Sequence, residues 1–336
     1  MPPAAETPPP ATQIAPRTPP SGDAGSPGLA GADVILAVDA LSKRYGSLVA
    51  VDGISFQVRL GETFGILGPN GAGKTTTLEM IEGLRKPDSG RITLLGLDAV
   101  RQRRAAQERI GVQLQSQALW PELTVEETLR TFRALFRRKA AVQELMERFA
   151  LVDKRRALVR DLSGGQKQRL SVATALVNDP EVVFLDEPTT GLDPQARRSF
   201  WELIRDMSSA GKTVIVTTHY MEEAEELCER VAIMDRGRIM AMDSPRELVR
   251  GLDFDNTVEC TFAGSVERER LLALPAVHYV KKENGAHFLF TTDLSATLAG
   301  LMGLTDGGGE RVQSLQVRTA TLEDVFISLT GRRLRD

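Results

Sequence analysis

The chain has 336 residues, 42% of them hydrophobic and 26% charged, with a formal net charge of −3. That length gives room for roughly two domains and a tail, the apolar content supports a real core, and the slight acidity argues against a general nucleic-acid binder. Two cysteines, Cys228 and Cys260, stand far apart without metal-ligand or C-x-x-C spacing, as suits a reducing cytoplasm, and nothing reads as a membrane span of roughly 18–20 apolar residues or as a secretory leader.

Residues 1–32 are rich in Pro, Ala, Gly, Thr and Ser and poor in aromatics. Such a segment cannot bury enough surface to order itself, so a disordered tail is expected. Antiparallel strands are expected around Val34–Val38, Ile54–Val58 and Arg91–Leu95. Between the last two, Thr63–Leu67 reads as a short buried strand. It runs into Gly68-Pro69-Asn70-Gly71-Ala72-Gly73-Lys74-Thr75, followed by Thr76. That stretch fits G-x-x-x-x-G-K-[ST], and a helix from Thr75 to Leu84 completes the strand–loop–helix context of a phosphate loop. The glycines let successive N–H groups converge on phosphate oxygens, and the helix adds its positive N-terminal end. Lys74 is placed to reach the β- and γ-phosphates, and the Thr75 hydroxyl to ligate Mg²⁺.

Further on, charge is uneven. Residues 101–160 hold 14 Lys/Arg against 7 Asp/Glu, whereas residues 179–229 hold 4 against 12. Two solvated surfaces would account for this, and so would a basic segment facing a membrane or a partner. A helical insert is expected over about 120–161. Leu162-Ser163-Gly164-Gly165-Gln166 then leads into a helical run from Gln166 to Val177. Ser163 reads as an N-cap, and the two glycines allow a close backbone approach, so this is a second helix start suited to a phosphate. One nucleotide in one loop does not obviously need two cradles.

Val182–Leu185 is an apolar run of the kind found in buried parallel strands, and it ends in Asp186-Glu187-Pro188. Carboxylates at a strand's C-terminal end lie where open α/β sheets bind ligands. Asp186 suits Mg²⁺ through water, and Glu187 can polarise a water that attacks the γ-phosphate. His219 follows the apolar strand Val214–Thr217 and can point into the same cleft, whereas His278 and His287 read as structural or solvent-facing. Helices Pro194–Ser208 and Met221–Cys228 cross between strands, with Val231–Met234 as a further strand.

These stretches, in this order, resemble the nucleotide-binding subunit of ATP-binding cassette transporters, over about Val34 to Leu252. Leu162–Gln166 is similar to that family's signature motif. The resemblance implies that Tyr45 stacks on adenine and that Gln115 senses Mg²⁺ and the attacking water, although Gln113 and Gln117 leave the register open. It implies that Gly191-Leu192-Asp193-Pro194 signals across a dimer and that His219 contacts the γ-phosphate. It also explains the second cradle: two subunits bind head to tail, so that Ser163, Gly164, Gly165 and Gln166 act in trans on the partner's ATP. Leu119 and Trp120 are then expected to help dock a separate transmembrane permease.

Residues 254–336 read as a small α+β domain. Strand Thr257–Phe262, helix Val266–Ala273, a hairpin Val277–Lys281 and Ala286–Thr291 around Asn284-Gly285, helix Leu294–Gly303 and strand Val312–Val317 give β-α-β-β-α-β, the split-βαβ arrangement. A last helix, Leu322–Leu329, starts behind Thr321 as a cap. Thr321–Gly331 resembles the end of the ATPases of bacterial drug exporters, including the daunorubicin/doxorubicin-resistance type.

The expected fold is therefore α/β: a P-loop ABC ATPase domain over 33–252, with a parallel-sheet core, an antiparallel β subdomain and a helical subdomain, and a ferredoxin-like domain over 254–336. The expected function is an ATP- and Mg²⁺-dependent motor for export of a drug, lipid or polysaccharide. The chain would dimerise with itself or a homologous subunit and sit peripherally on the cytoplasmic face of the plasma membrane, with no nucleic-acid partner. An importer subunit and a non-transport ABC ATPase are the alternatives. A DNA-repair or chromosome-maintenance type of the second would carry long coiled coils between loop and signature, and Thr75–Ser163 holds no sustained heptads; a translation-associated type would carry two cassettes, and one is seen here.

Overall fold

The structure, a computed structural model, describes residues 34–115, 119–283, 285–306 and 311–330. The expected tail, Gln117, Asn284 and Gly331 lie outside the described residues.

Strands β1 (Val34–Tyr45) and β2 (Leu48–Arg59) form a long antiparallel hairpin. Ile54, Phe56 and Val58 are buried while the residues between them face out, the period-2 pattern of a sheet with one wet face. Strand β3 (Thr63–Leu67) is buried at every position and feeds the phosphate loop, after which α1 (Lys74–Ile81) begins. This helix stops short of Leu84 because Gly83, at φ +73°, turns the chain out in the left-handed region. Strands β4 (Ser89–Leu94) and β5 (Leu97–Asp98) complete an antiparallel sheet of order β2-β1-β4-β5.

Helix α2 (Arg103–Gln107) leads to β6 (Ile110–Gln113). The helical region follows with α3 (Val125–Ala134) and α4 (Val142–Arg148). Thr124 starts α3 with a reciprocal capping box to Glu127. Then come α5 (Gly164–Ala175), β7 (Val182–Asp186), α6 (Pro194–Ser209), β8 (Thr213–Thr218), α7 (Met221–Leu227), β9 (Arg230–Asp235) and β10 (Arg238–Asp243). The second sheet has the order β10-β9-β3-β8-β7-β6; every pairing from β9 to β6 is parallel and β10 is antiparallel. One apolar core joins both sheets, from Leu36, Phe56 and Ile92 to Phe64, Phe184 and Ile215. The strand order sets β3, β8 and β7 side by side, so the segments after Leu67, Thr218 and Asp186 emerge together at one edge.

The chain divides into two compact units, one through Pro245 and one from Arg246. Helix α8 (Pro245–Arg250) lies at the junction. The second unit runs β11 (Asn256–Phe262), α9 (Arg268–Leu272), β12 (Val277–Glu283), β13 (Ala286–Thr291), α10 (Leu294–Asp306), β14 (Val312–Thr319) and α11 (Leu322–Thr330). Its sheet is antiparallel throughout, in the order β12-β13-β11-β14, which is the split-βαβ topology. Val258, Cys260, Val280 and Leu289 pack against Leu271 and Leu301 of the two helices. Ahead of α11, Asp324 accepts from the Thr321 N–H (2.9 Å) and hydroxyl, and it also pairs with Arg318. The capping acceptor there is the aspartate rather than the threonine.

Candidate nucleotide site

The phosphate loop lies between β3 and α1; Gly68 and Gly73 are there for lack of space, whereas Gly71, in open space, is there for its φ of +79°. A Cβ on Gly68 would meet the Met234 carbonyl at 2.2 Å, and one on Gly73, at φ +104°, would meet the Ala50 carbonyl at 2.3 Å. Pro69 and Ala72 are buried, Asn70 and Gly71 exposed, and Thr75 and Thr76 half-buried at the start of α1. The buried Lys74 ammonium donates to the carbonyls of Gly68 (2.8 Å) and Pro69 (3.1 Å), and lies 3.2 Å from Glu187 Oε1.

Asp186 ends β7 directly opposite Thr217 of β8. It accepts hydrogen bonds from the Thr217 hydroxyl and, at 3.4 Å, from the Thr75 hydroxyl. Burial raises its pKa, and those two hydroxyls act in the other direction. Glu187 takes the left-handed region at φ +47°, which a side chain adopts only when its surroundings hold it there. The hold comes from β8: the Glu187 N–H donates to the Thr217 hydroxyl (3.0 Å) and carbonyl (3.2 Å). The carboxylate then faces Lys74, the Thr190 hydroxyl (3.2 Å), the Gln115 amide (3.4 Å) and His219. His219 Nδ1 is 3.2 Å from Oε2, close but not aligned as a hydrogen bond. His219 first, and then Lys74, hold the Glu187 pKa down at about 2, against burial. The group is thus ionised at neutral pH, as a group that orients and polarises water must be.

Gln115 meets Glu187, whereas the Gln113 side chain turns back onto the Leu114 carbonyl at 2.7 Å. Strand β6 ends at Gln113, so Gln115 is already free of the sheet. Tyr45 ends β1, 40% exposed, with the Arg85 guanidinium 5.3 Å and the Lys43 ammonium 5.7 Å from its ring centre. His278 meets the Thr292 hydroxyl at 3.1 Å, and His287 is buried beside Phe262. Thr217 and Thr190 carry no local sequence signal of their own; the pairing of β8 with β7 brings Thr217 to Asp186.

The signature residues stand apart. Ser163 caps α5 in a reciprocal box with Gln166, two residues earlier than the expected helical run. Among the described residues, no hydrogen bond or ion pair joins Ser163, Gly164, Gly165 or Gln166 to the phosphate loop. A Cβ on Gly164 would meet nothing within 4 Å, and one on Gly165 only the Ala196 Cβ at 3.9 Å. Packing within this chain therefore does not require either glycine. Asp193 is exposed and caps α6, accepting from the Ala196 N–H at 2.9 Å. Trp120 is 51% exposed with its ring 5.8 Å from Phe132, beside a groove of about 440 Å³ lined by Gln115, Leu119, Pro121, Arg160, Lys167 and Gln168.

The residues fit a nucleoside triphosphate and Mg²⁺. The loop is pinned where no Cβ fits, with a lysine at its centre, and the Thr75 hydroxyl lies beside the Asp186 carboxylate, the hard oxygen donors that Mg²⁺ favours. A fold with this strand order and this loop is a phosphate-loop ATPase.

Comparison with known proteins narrows the class. The ABC transporter family matches residues 51–190. The chain is 42% identical over 315 residues to the Nod factor export ATP-binding protein I of Ralstonia nicotianae, covering 92% of this chain and 98% of that protein. It is 43% identical over 303 residues to the protein of the same name from Paraburkholderia xenovorans, covering 89% and 97%. Among solved structures it is similar to cbiO1 from Clostridium perfringens, part of the ABC transporter complex cbiONQ (30% identity, TM-score 0.59, 65% of this chain and 92% of that one). It is also similar to the dimeric ABC transporter cassette MJ0796 (26% identity, TM-score 0.56, 62% and 98%). The chain belongs to the ATP-binding subunits of ABC transporters, and its reaction is ATP hydrolysis.

Proposed function

We propose that this chain is the motor subunit of an ABC exporter, in which ATP closes a head-to-tail dimer and hydrolysis reopens it. The observation that carries the reading is the convergence of Lys74, Gln115 and His219 on the Glu187 carboxylate, the four residues following four adjacent strands, β3, β6, β8 and β7 respectively. Lys74 and the loop amides bind the phosphates, and Tyr45 offers its ring to adenine. Glu187 orients and polarises the attacking water, Gln115 helps to place it, and His219 stabilises charge at the γ-phosphate. Thr75 and Asp186, with Gln115, would hold Mg²⁺, which when bound adds positive charge beside the β- and γ-phosphates.

Ser163, Gly164, Gly165 and Gln166 complete the partner's site, and Asp193 lies in the loop between the two. The open space over the glycines supports this, as does the dimeric form of the similar MJ0796 cassette. Export is supported by the names of the Nod factor export relatives, which favour export without favouring a drug as cargo; a lipid or polysaccharide fits equally. Among the described residues no helix is long and apolar enough to cross a membrane. A separate permease supplies the path in this reading, and the chain sits peripherally on the cytoplasmic face with Trp120 and Leu119 against it. The domain reading is a 33–252 ATPase domain and a 254–336 accessory domain.

Co-purification tests this directly. Tagged chain drawn from solubilised native membranes with ATP and Mg²⁺ should bring a polytopic membrane protein in near-stoichiometric amount. Recovery of the chain alone would count against the transporter role.

A further inference from the structure

Three side chains lead away from Glu187 in a continuous stack. The His219 ring centre lies 4.2 Å from that of Tyr220, and the Arg197 guanidinium carbon sits 4.1 Å from the Tyr220 centroid. Arg197 Nε is out of water and has no hydrogen-bond partner, so the ring face takes the place of one. Arg197 belongs to the first turn of α6, where its N–H donates to the Asp193 carbonyl at 2.9 Å. Helix α6 is in turn fixed to α7: Trp201 Nε1 donates to the buried Glu223 carboxylate at 3.1 Å, and Arg205 pairs with Glu226 at 2.6 Å. The Tyr220 N–H donates to the Thr218 hydroxyl at 2.9 Å, tightening the turn that carries His219.

We propose that Tyr220 and Arg197 are positioning residues for His219, holding the imidazole against Glu187. The inference rests on the reading of Glu187 and His219 given above. An imidazole with no aligned hydrogen bond at Nδ1 has no directional tether of its own to Glu187. The Tyr220 face restricts its ring rotation, and Arg197 restricts Tyr220. Because Arg197 springs from the helix that Asp193 caps, the clamp is anchored beside the loop that would meet the second subunit.

The test is steady-state ATP hydrolysis by the full chain. Tyr220→Leu and Arg197→Ala should each lower kcat about tenfold while KM for ATP moves less than about twofold, because the loss is one of orientation and not of nucleotide binding. Tyr220→Phe and Arg197→Lys should retain most of the rate, since each keeps its half of the stack. On a His219→Ala background, Tyr220→Leu should cost nothing further. A merely structural role would add its own loss to His219→Ala and would move KM as well. Should Tyr220→Leu fold poorly, the half-exposed Arg197→Ala carries the test. Unchanged kcat in Arg197→Ala, with a large loss in His219→Ala, would overturn the clamp and leave the catalytic reading standing. Unchanged kcat in His219→Ala would overturn that reading and the clamp with it.

Discussion

Lys74 and Glu187 form a buried ion pair, Nζ to Oε1 3.2 Å, joining the phosphate loop to the end of β7. The loop lysine and the proposed water-activating carboxylate are thus in one electrostatic unit, and a change at either reaches the other. Glu187→Gln keeps the shape and removes the charge. Turnover should fall by about 100-fold or more, as for loss of a general base, while ATP binding survives. Nucleotide titration beside single-turnover hydrolysis separates the two, and equal loss of both would contradict the role assigned to Glu187.

The signature residues can be tested by mixing. Lys74→Ala disables the loop and leaves the signature intact. Gly165→Asp disables the signature, and the space around Gly165 lets its Cβ fit within its own chain. If sites are shared, a mixture of the two inactive chains contains dimers with one whole site and should regain ATPase activity. A mixture no more active than the sum of its parts would show that each chain works with its own signature.

Glu82 makes stability depend on pH. Burial, reinforced by the charges of Asp186 and Glu79, raises its pKa from 4.5 to about 8, and neither carboxylate oxygen has a hydrogen-bond partner among the described residues. Between those two values the folded chain keeps a proton that the unfolded chain has lost. The stability this group contributes is whole below pH 4.5 and is lost as pH rises through 8, by on the order of 3 kcal/mol between pH 5 and 8. Glu82→Gln should therefore raise Tm at pH 8 and change it little at pH 5. Parallel wild-type and variant curves across that range would contradict the assignment.

Trp120 is half out of water, with its ring 5.8 Å from that of Phe132, so Trp120→Ala should cost little stability. Transport in reconstituted vesicles should fall while ATPase activity persists. Transport unaffected by the substitution would remove Trp120 from the docking surface.

Much of the site was legible because its signals are local. The phosphate loop is eight consecutive residues, and Asp186-Glu187 closes an apolar run whose burial follows from composition alone. The register of Gln115 was not legible, since it depends on where β6 leaves the sheet. The Lys74–Glu187 pair depends on the order β3-β8-β7, which no local pattern encodes. Glu82 reads as an ordinary helix-end charge, and only the packing around α1 makes it a buried acid. In the second unit the alternation of strands and helices sufficed for the topology, but α9 shrank to Arg268–Leu272, with Val266 buried ahead of it rather than within it.

If the signature residues act in trans, two subunits together complete two copies of the site. The most direct measurement is the mass in solution of the Glu187→Gln chain, by light scattering, with and without saturating ATP. The expected result is a shift from monomer to dimer that requires ATP and is lost when Gly165→Asp is added. A chain that stays monomeric with ATP bound would contradict it.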